Sequence, residues 1–170
     1  MESKRELLSL AAILGVFGAL AYFGFRSPDF PDVSLALDAE TTVKVSQARG
    51  GKPKLVVALL IPGDPVSEKS VMLLKERFQA NEAKAAFAAV LFSNSAAAET
   101  FRQTHDLPYP VYSLDPPQNP VEYNSLVKTV GGFRSRFYGG TVLVVDSKQK
   151  MVSKIEGLEL ENLDDLIKKL

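Results

Sequence analysis

The sequence predicts an α/β protein: a three-layer sandwich with helices on both faces of a mixed central sheet, preceded by a single transmembrane helix. Three observations predict it. Leu55 to Ile61 and Ala86 to Phe92 are continuous apolar runs, as expected for strands buried on both faces. Helical patterns separate the strands, and a hairpin closes the series, giving a parallel centre with an antiparallel edge. Leu7 to Phe25 is an uncharged stretch of 19 residues.

That first stretch would span roughly 28 Å as a helix, close to the ~30 Å hydrocarbon core of a bilayer. Lys4 and Arg5 precede it, Arg26 follows it, and Tyr22, Phe23 and Phe25 lie at its far end, where interfacial aromatics are common. A secretory signal peptide is the competing reading, with Ala19-Leu20-Ala21 as the cleavage site. The length of the run and the aromatics beyond the cut favour an uncleaved anchor over residues 1–26. The charge pattern puts the N-terminus in the cytoplasm and the rest on the extracytoplasmic side: periplasm, lumen or intermembrane space. Ala11, Gly15 and Ala19 share one face, as a helix-packing stripe or as ordinary membrane-helix composition. Residues 27–32 (SPDFPD) read as a short stiff linker. Residues 33–170 are then one domain.

Within that domain, Val33 to Val45 alternates around a turn at Asp38-Ala39-Glu40 and reads as a hairpin. Arg49 to Pro53 is a turn before the first long strand, which Pro62-Gly63 ends. Asp64 is a good N-cap and Pro65 a good first helical residue, with Val71, Leu74 and Phe78 at helical spacing. After the second apolar strand, Ser95 to His105 reads as a helix capped by Ser95. Val111 to Leu114 is a short strand closed by Asp115-Pro116-Pro117. Asn119-Pro120 opens a helix with Val121, Leu126 and Val130 as its apolar positions. Thr141 to Val145 and Met151 to Ile155 form the last hairpin, turning at Asp146 to Gln149. Glu161 to Leu170 reads as an amphipathic helix, acidic early and ending in Lys168-Lys169, which complements the helix dipole.

Composition removes several functions. Lys plus Arg and Asp plus Glu both number 20, so there is no basic excess for binding nucleic acid. Cysteine is absent, which excludes disulfides, zinc–thiolate sites, iron–sulfur clusters and thiol nucleophiles. A single histidine, His105, leaves little from which to build a histidine metal site or a Ser–His triad. The acids of Glu156 to Asp165 match no calcium-loop spacing and read as a solvated surface and helix start. No cofactor is expected.

The order of elements resembles the thioredoxin-like superfamily, in particular its peroxiredoxin (AhpC/TSA) and TlpA/ResA-like branches. The resemblance covers about residues 33–170. It is carried by SLALDAETTVKVSQARGGKPKLVVALL, by the PGDP turn, by DLPYPVYSLDP and by GGTVLVVDSKQKMVSKIEG. It implies a reactive site at the start of the first long helix, and there the sequence departs. The Cys-x-x-Cys pair is replaced by Asp64-Pro65-Val66-Ser67. In the peroxiredoxin register, Val66 stands for the threonine and Lys69 for the peroxidatic cysteine. The family's cis-proline falls at about Gly140. Asp64, Ser67, Lys69 and Gly140 are therefore degenerate active-site positions. A helix N-terminus that stabilises a thiolate suits an Asp cap equally well. A Ser67 nucleophile would need a base, and no histidine is near it in sequence.

Gly131 to Gly140 is the most unusual stretch. Two glycine pairs bracket Phe133, Arg134, Arg136, Phe137 and Tyr138. Arginine and aromatics are enriched at protein–protein hot spots, so this is a partner-binding loop or one whose aromatics pack on the core; anion binding is the remaining reading, and the glycines match no phosphate-loop pattern. The expected function is a non-catalytic, membrane-anchored accessory or scaffold subunit of a membrane complex. A cysteine-independent enzyme or small-ligand binder using a groove near Asp64 and Gly140 is the alternative.

Overall fold

The computed structural model describes residues 27–132 and 138–167. The expected anchor, Leu7 to Phe25, and its small-residue stripe lie outside them. Among the described residues no helix is long and apolar enough to cross a membrane.

The strands are β1 (Ser34–Ala36), β2 (Thr42–Lys44), β3 (Lys54–Leu60), β4 (Ala86–Leu91), β5 (Val111–Ser113), β6 (Thr141–Asp146) and β7 (Met151–Ile155). The helices are α1 (Val45–Ala48), α2 (Pro65–Asn81), α3 (Ser95–Thr104), α4 (Pro120–Gly131) and α5 (Leu163–Ile167), with a 3-10 segment at Gly157–Asn162. The sheet runs β2-β1-β5-β4-β3-β6-β7. β5, β4 and β3 are parallel; β1 and β6 flank them antiparallel, and β2 and β7 close the edges in hairpins.

Each central strand is apolar on both sides because both sides are covered. Val56, Ala58 and Leu60 of β3 pack with Phe87, Ala89 and Leu91 of β4 under α2, α3 and α5. Leu55, Val57 and Leu59 face the other way, with Ala88, Val90 and Phe92, under α1, α4 and the segment before β1. This is the three-layer sandwich read from the sequence.

The structure corrects several local expectations. Val45 does not extend the first hairpin; it starts α1, because the Asp32 carboxylate accepts both the Ser46 amide (2.8 Å) and the Ser46 hydroxyl (3.0 Å). Asn94, not Ser95, caps α3, accepting the Ala97 amide at 2.9 Å. Val121 is not a buried position of α4: it is 76% exposed, and Leu126 and Val130 form the buried stripe. The C-terminal helix starts at Leu163 rather than Glu161, after a 3-10 segment in which Glu159 leaves helical geometry. Its last residues, Lys168 to Leu170, lie outside the described part.

The segment read as a linker is docked on the domain. Asp29 bridges Lys150, the Phe30 amide donates to Gln149 O at 2.7 Å, and Pro28 O accepts from the Met151 amide at 3.0 Å. Phe30 is only 4% exposed and belongs to the second core. Because Lys54 pairs with Asp146, this attachment lies at the end of the sheet where β3 begins. β3 spans ~20 Å at 3.3 Å per residue, so the chain joins the domain at the pole opposite the start of α2.

Candidate functional site

The β3–α2 junction is built from short-range chemistry. Pro62 and Gly63 end β3, Gly63 taking φ +72, and Asp64 becomes the N-cap of α2 with Pro65 in the first helical turn. Asp64 Oδ2 accepts the Ser67 amide at 2.9 Å and the Ser67 hydroxyl at 2.7 Å, and Oδ1 is 3.4 Å from the Val66 amide. Ser67 Oγ in turn accepts the Ile61 amide at 3.0 Å. One turn on, the Ser70 hydroxyl donates to Ser67 O at 2.8 Å. Ser67 is fully buried.

The Gly139-Gly140 turn lies directly on this cap. A Cβ placed on Gly139 would sit 2.0 Å from Asp64 Oδ2 and 2.8 Å from Ser67 Oγ. A Cβ on Gly140 would sit 2.5 Å from Val66 O, and Gly140 has φ +74. Gly157 closes the third side: its Cβ would meet Gly139 O at 2.1 Å and Val66 Cγ1 at 2.7 Å. Three glycines thus let three segments touch by backbone. The cap of α2 and the turn before β6 therefore meet in direct contact.

Gly140, which the sequence resemblance matches to a cis-proline, cannot hold a proline in this backbone. A proline ring fixes φ near −65°, whereas Gly140 is at +74°, and its amide donates to Leu59 O at 2.9 Å. No cis peptide occurs among the described residues.

The structure thus joins Asp64, Ser67 and Gly140 in one cluster. Lys69 is exposed on α2 and takes no part in the cap. Tyr138 is 48% exposed, and its carbonyl accepts both the amide and the hydroxyl of Thr141. Phe133, Arg134, Arg136 and Phe137 lie outside the described residues. His105 is half-buried; it caps the C-terminus of α3, its ring 4.4 Å from that of Phe101. Since α3 runs back toward the start of β5, His105 lies at the far end of the sheet from Ser67. The sequence marks Gly139 only as one of a glycine pair and gives no sign of Gly157. Their roles rest on contacts with distant segments, and only the glycine pair at 139–140 gave a local signal.

Chemically, the cluster is a closed set of donors and acceptors. A serine nucleophile needs a base and access to substrate, and Ser67 has a carboxylate partner but no exposure. Among the described residues no group of acids or histidines could hold a metal ion.

No family model matches the chain, and no curated protein matches it by sequence. Solved structures do match by shape. A putative protein disulfide isomerase from Bacteroides thetaiotaomicron superposes with a TM-score of 0.64 at 15% identity, over 85% of this chain and 86% of its own. Peroxidoxin BcpB from Mycobacterium tuberculosis gives 0.64 at 14% identity, over 84% and 94%. The thioredoxin domain of a thiol-disulfide oxidoreductase from Bacteroides vulgatus gives 0.61 at 16%, over 82% and 95%. At these identities the likeness speaks for the fold. The described chain has a thioredoxin-like α/β fold with a mixed sheet, and it carries that fold without a single cysteine.

Proposed function

We propose that the protein is a redox-inactive thioredoxin-like domain, held to a membrane by its N-terminal segment, that serves as a non-catalytic accessory or scaffold subunit of a membrane complex. One observation carries this reading. The helix start where its structural relatives would carry thiols is occupied by an Asp64–Ser67 cap whose hydrogen bonds are spent internally, with Gly139 and Gly140 seated on it. The fold is kept without a thiol, and close packing of the Gly139-Gly140 turn on the cap supports a non-catalytic reading of this position. Packing of the Gly139 backbone against Asp64 also counts against the alternative of a ligand groove between Asp64 and Gly140.

The partner surface in this reading is the pole around the cap. Ile61 and Tyr138 are large apolar residues there, 40% and 48% exposed, and the Arg- and Phe-rich stretch from Phe133 to Phe137 leads directly into Tyr138. Aromatic and arginine side chains are the usual anchors of protein interfaces. Attachment of the chain at the opposite pole would hold this surface away from the bilayer, on the extracytoplasmic side.

The test is purification of the full, tagged chain from native membranes in mild detergent, followed by mass spectrometry. Stoichiometric membrane subunits are expected to co-purify. A chain that comes alone from intact membranes sinks the scaffold reading.

A further inference from the structure

At the pole where the chain joins the domain, a groove of about 530 Å³ runs between α1, the end of α2 and the start of β4. Arg49 and Lys52 line it, with Glu82 as the acid on the same rim and Phe78, Phe87 and Pro108 as apolar wall. Arg49 Nε is buried and has no hydrogen-bond partner. A buried guanidinium N–H without a protein acceptor forgoes a hydrogen bond that it would make in water. Among the described residues neither Arg49 nor Lys52 is in a salt bridge. Lys52 Nζ has only a long contact, 3.4 Å, to Ala83 O. Glu82 is exposed and forms no salt bridge with Arg49.

We propose that this groove binds a phosphate ester, with Arg49 and Lys52 taking the phosphate and the apolar wall taking the organic part. A guanidinium fork with a nearby ammonium is suited to phosphate oxygens, and a planar fork can engage two at once. A phosphate at the rim would give the half-buried Arg49 side chain a charged partner, and Lys52 would exchange a weak carbonyl contact for a charged one.

The source can be a soluble phosphate ester or a lipid headgroup. Pro28 and Asp29 attach at the same pole, beside Met151 and Lys150. The lipid source rests on the membrane-tether reading, because only a preceding anchor turns this pole toward headgroups. The soluble source does not depend on it.

The experiment uses the full chain in mild detergent and follows its thermal midpoint. The probes are glycerol 3-phosphate, and phosphatidylglycerol in mixed micelles with diacylglycerol as the phosphate-free control. A saturable rise in midpoint is expected with the phosphate-bearing probes. Arg49→Gln should raise the half-saturating concentration tenfold or more, and Arg49→Lys, which keeps the charge but lacks the planar fork, should raise it as well. Glu82→Gln should lower it, and this variant keeps the proposal testable should the Arg49 substitutions fold poorly. A response to glycerol 3-phosphate alone identifies a soluble ester, and one to phosphatidylglycerol alone identifies a headgroup. Absence of any response, or one unchanged in both Arg49→Gln and Glu82→Gln, overturns the proposal. The tether is checked separately by alkaline carbonate extraction of membranes. Release of the full chain there would end the lipid source while leaving the soluble arm to be read.

Discussion

Ser67 donates its hydroxyl to Asp64 at 2.7 Å while accepting the Ile61 amide at 3.0 Å, so one buried hydroxyl links the end of β3 to the cap of α2. The pair is a structural joint between β3 and α2. Asp64→Ala should remove the cap, worth about 1 kcal/mol, and leave the Ser67 hydroxyl short of a partner, a further ~1–3 kcal/mol. Urea denaturation should register a loss in that combined range. The double variant with Ser67→Ala should lose less than the sum of the singles, because each removes the other's partner. Strict additivity would mean that the two side chains are not coupled.

Glycine at 139 and 140 should prove irreplaceable for different reasons. Alanine at 139 meets a side-chain oxygen, Asp64 Oδ2, at 2.0 Å, and that carboxylate can move if the cap is given up. Alanine at 140 meets backbone, Val66 O at 2.5 Å, and must also hold φ +74. Overpacking costs ~1–3 kcal/mol and a left-handed non-glycine residue ~1–2 kcal/mol more. Gly140→Ala should therefore be the more destabilising in thermal melts. Gly139→Ala should be partly relieved in an Asp64→Ala background and Gly140→Ala should not.

The exposed apolar residues at the cap pole separate stability from binding. Ile61→Asp and Tyr138→Asp alter side chains 40% and 48% exposed, so the melting temperature should change little. If this pole is the partner surface, both variants should lose co-purifying subunits from detergent extracts. Retention of all partners by the two variants together would move the interface elsewhere.

The central strands were legible because their surroundings repeat along the chain: an apolar residue at every position reports a sheet covered on both faces, as at Val56 to Leu60. The cap was legible because Asp64-Pro65 is local chemistry. What escaped the sequence depends on distant residues. α1 is only four residues, too short for a helical period, and is fixed by Asp32 across 14 positions. Val121 has the right residue type for a buried stripe, but it lies in the first turn of α4, ahead of the stripe formed by Leu126 and Val130. Gly157 gives no local sign of its contact with Gly139 O. The orphaned Arg49 Nε can be recognised only once its surroundings are folded.

Phe30 should behave as a core residue although the sequence places it between two prolines in an apparent linker. It is 4% exposed among Val33, Leu35 and Val45, so Phe30→Ala should cost about 3–5 kcal/mol. A chain beginning at residue 33 should melt well below one beginning at residue 27. Equal melting of the two would mean that the docked segment adds nothing to the domain.

Alkaline pH should expose the burial of the two tyrosines on the β5 side. Tyr109, 3% exposed, donates its hydroxyl to Val71 O at 2.9 Å, and burial pushes its pKa up; burial also raises that of Tyr112. An acid whose folded pKa lies above its unfolded value keeps its stabilising effect below the unfolded pKa, about 10 for tyrosine. Above that pH the unfolded chain releases the proton and the folded chain does not, so stability falls as pH rises toward the folded pKa. Denaturation midpoints should therefore be flat with respect to these two groups up to about pH 9.5 and decline beyond it. Tyr109→Phe removes the larger of the two ionisations, at the cost of one hydrogen bond. It should start from a lower midpoint at neutral pH and decline less steeply above pH 10. A parallel decline in wild type and variant would show that Tyr109 ionises as freely in the folded chain as in the unfolded one, and would contradict its place beneath α2.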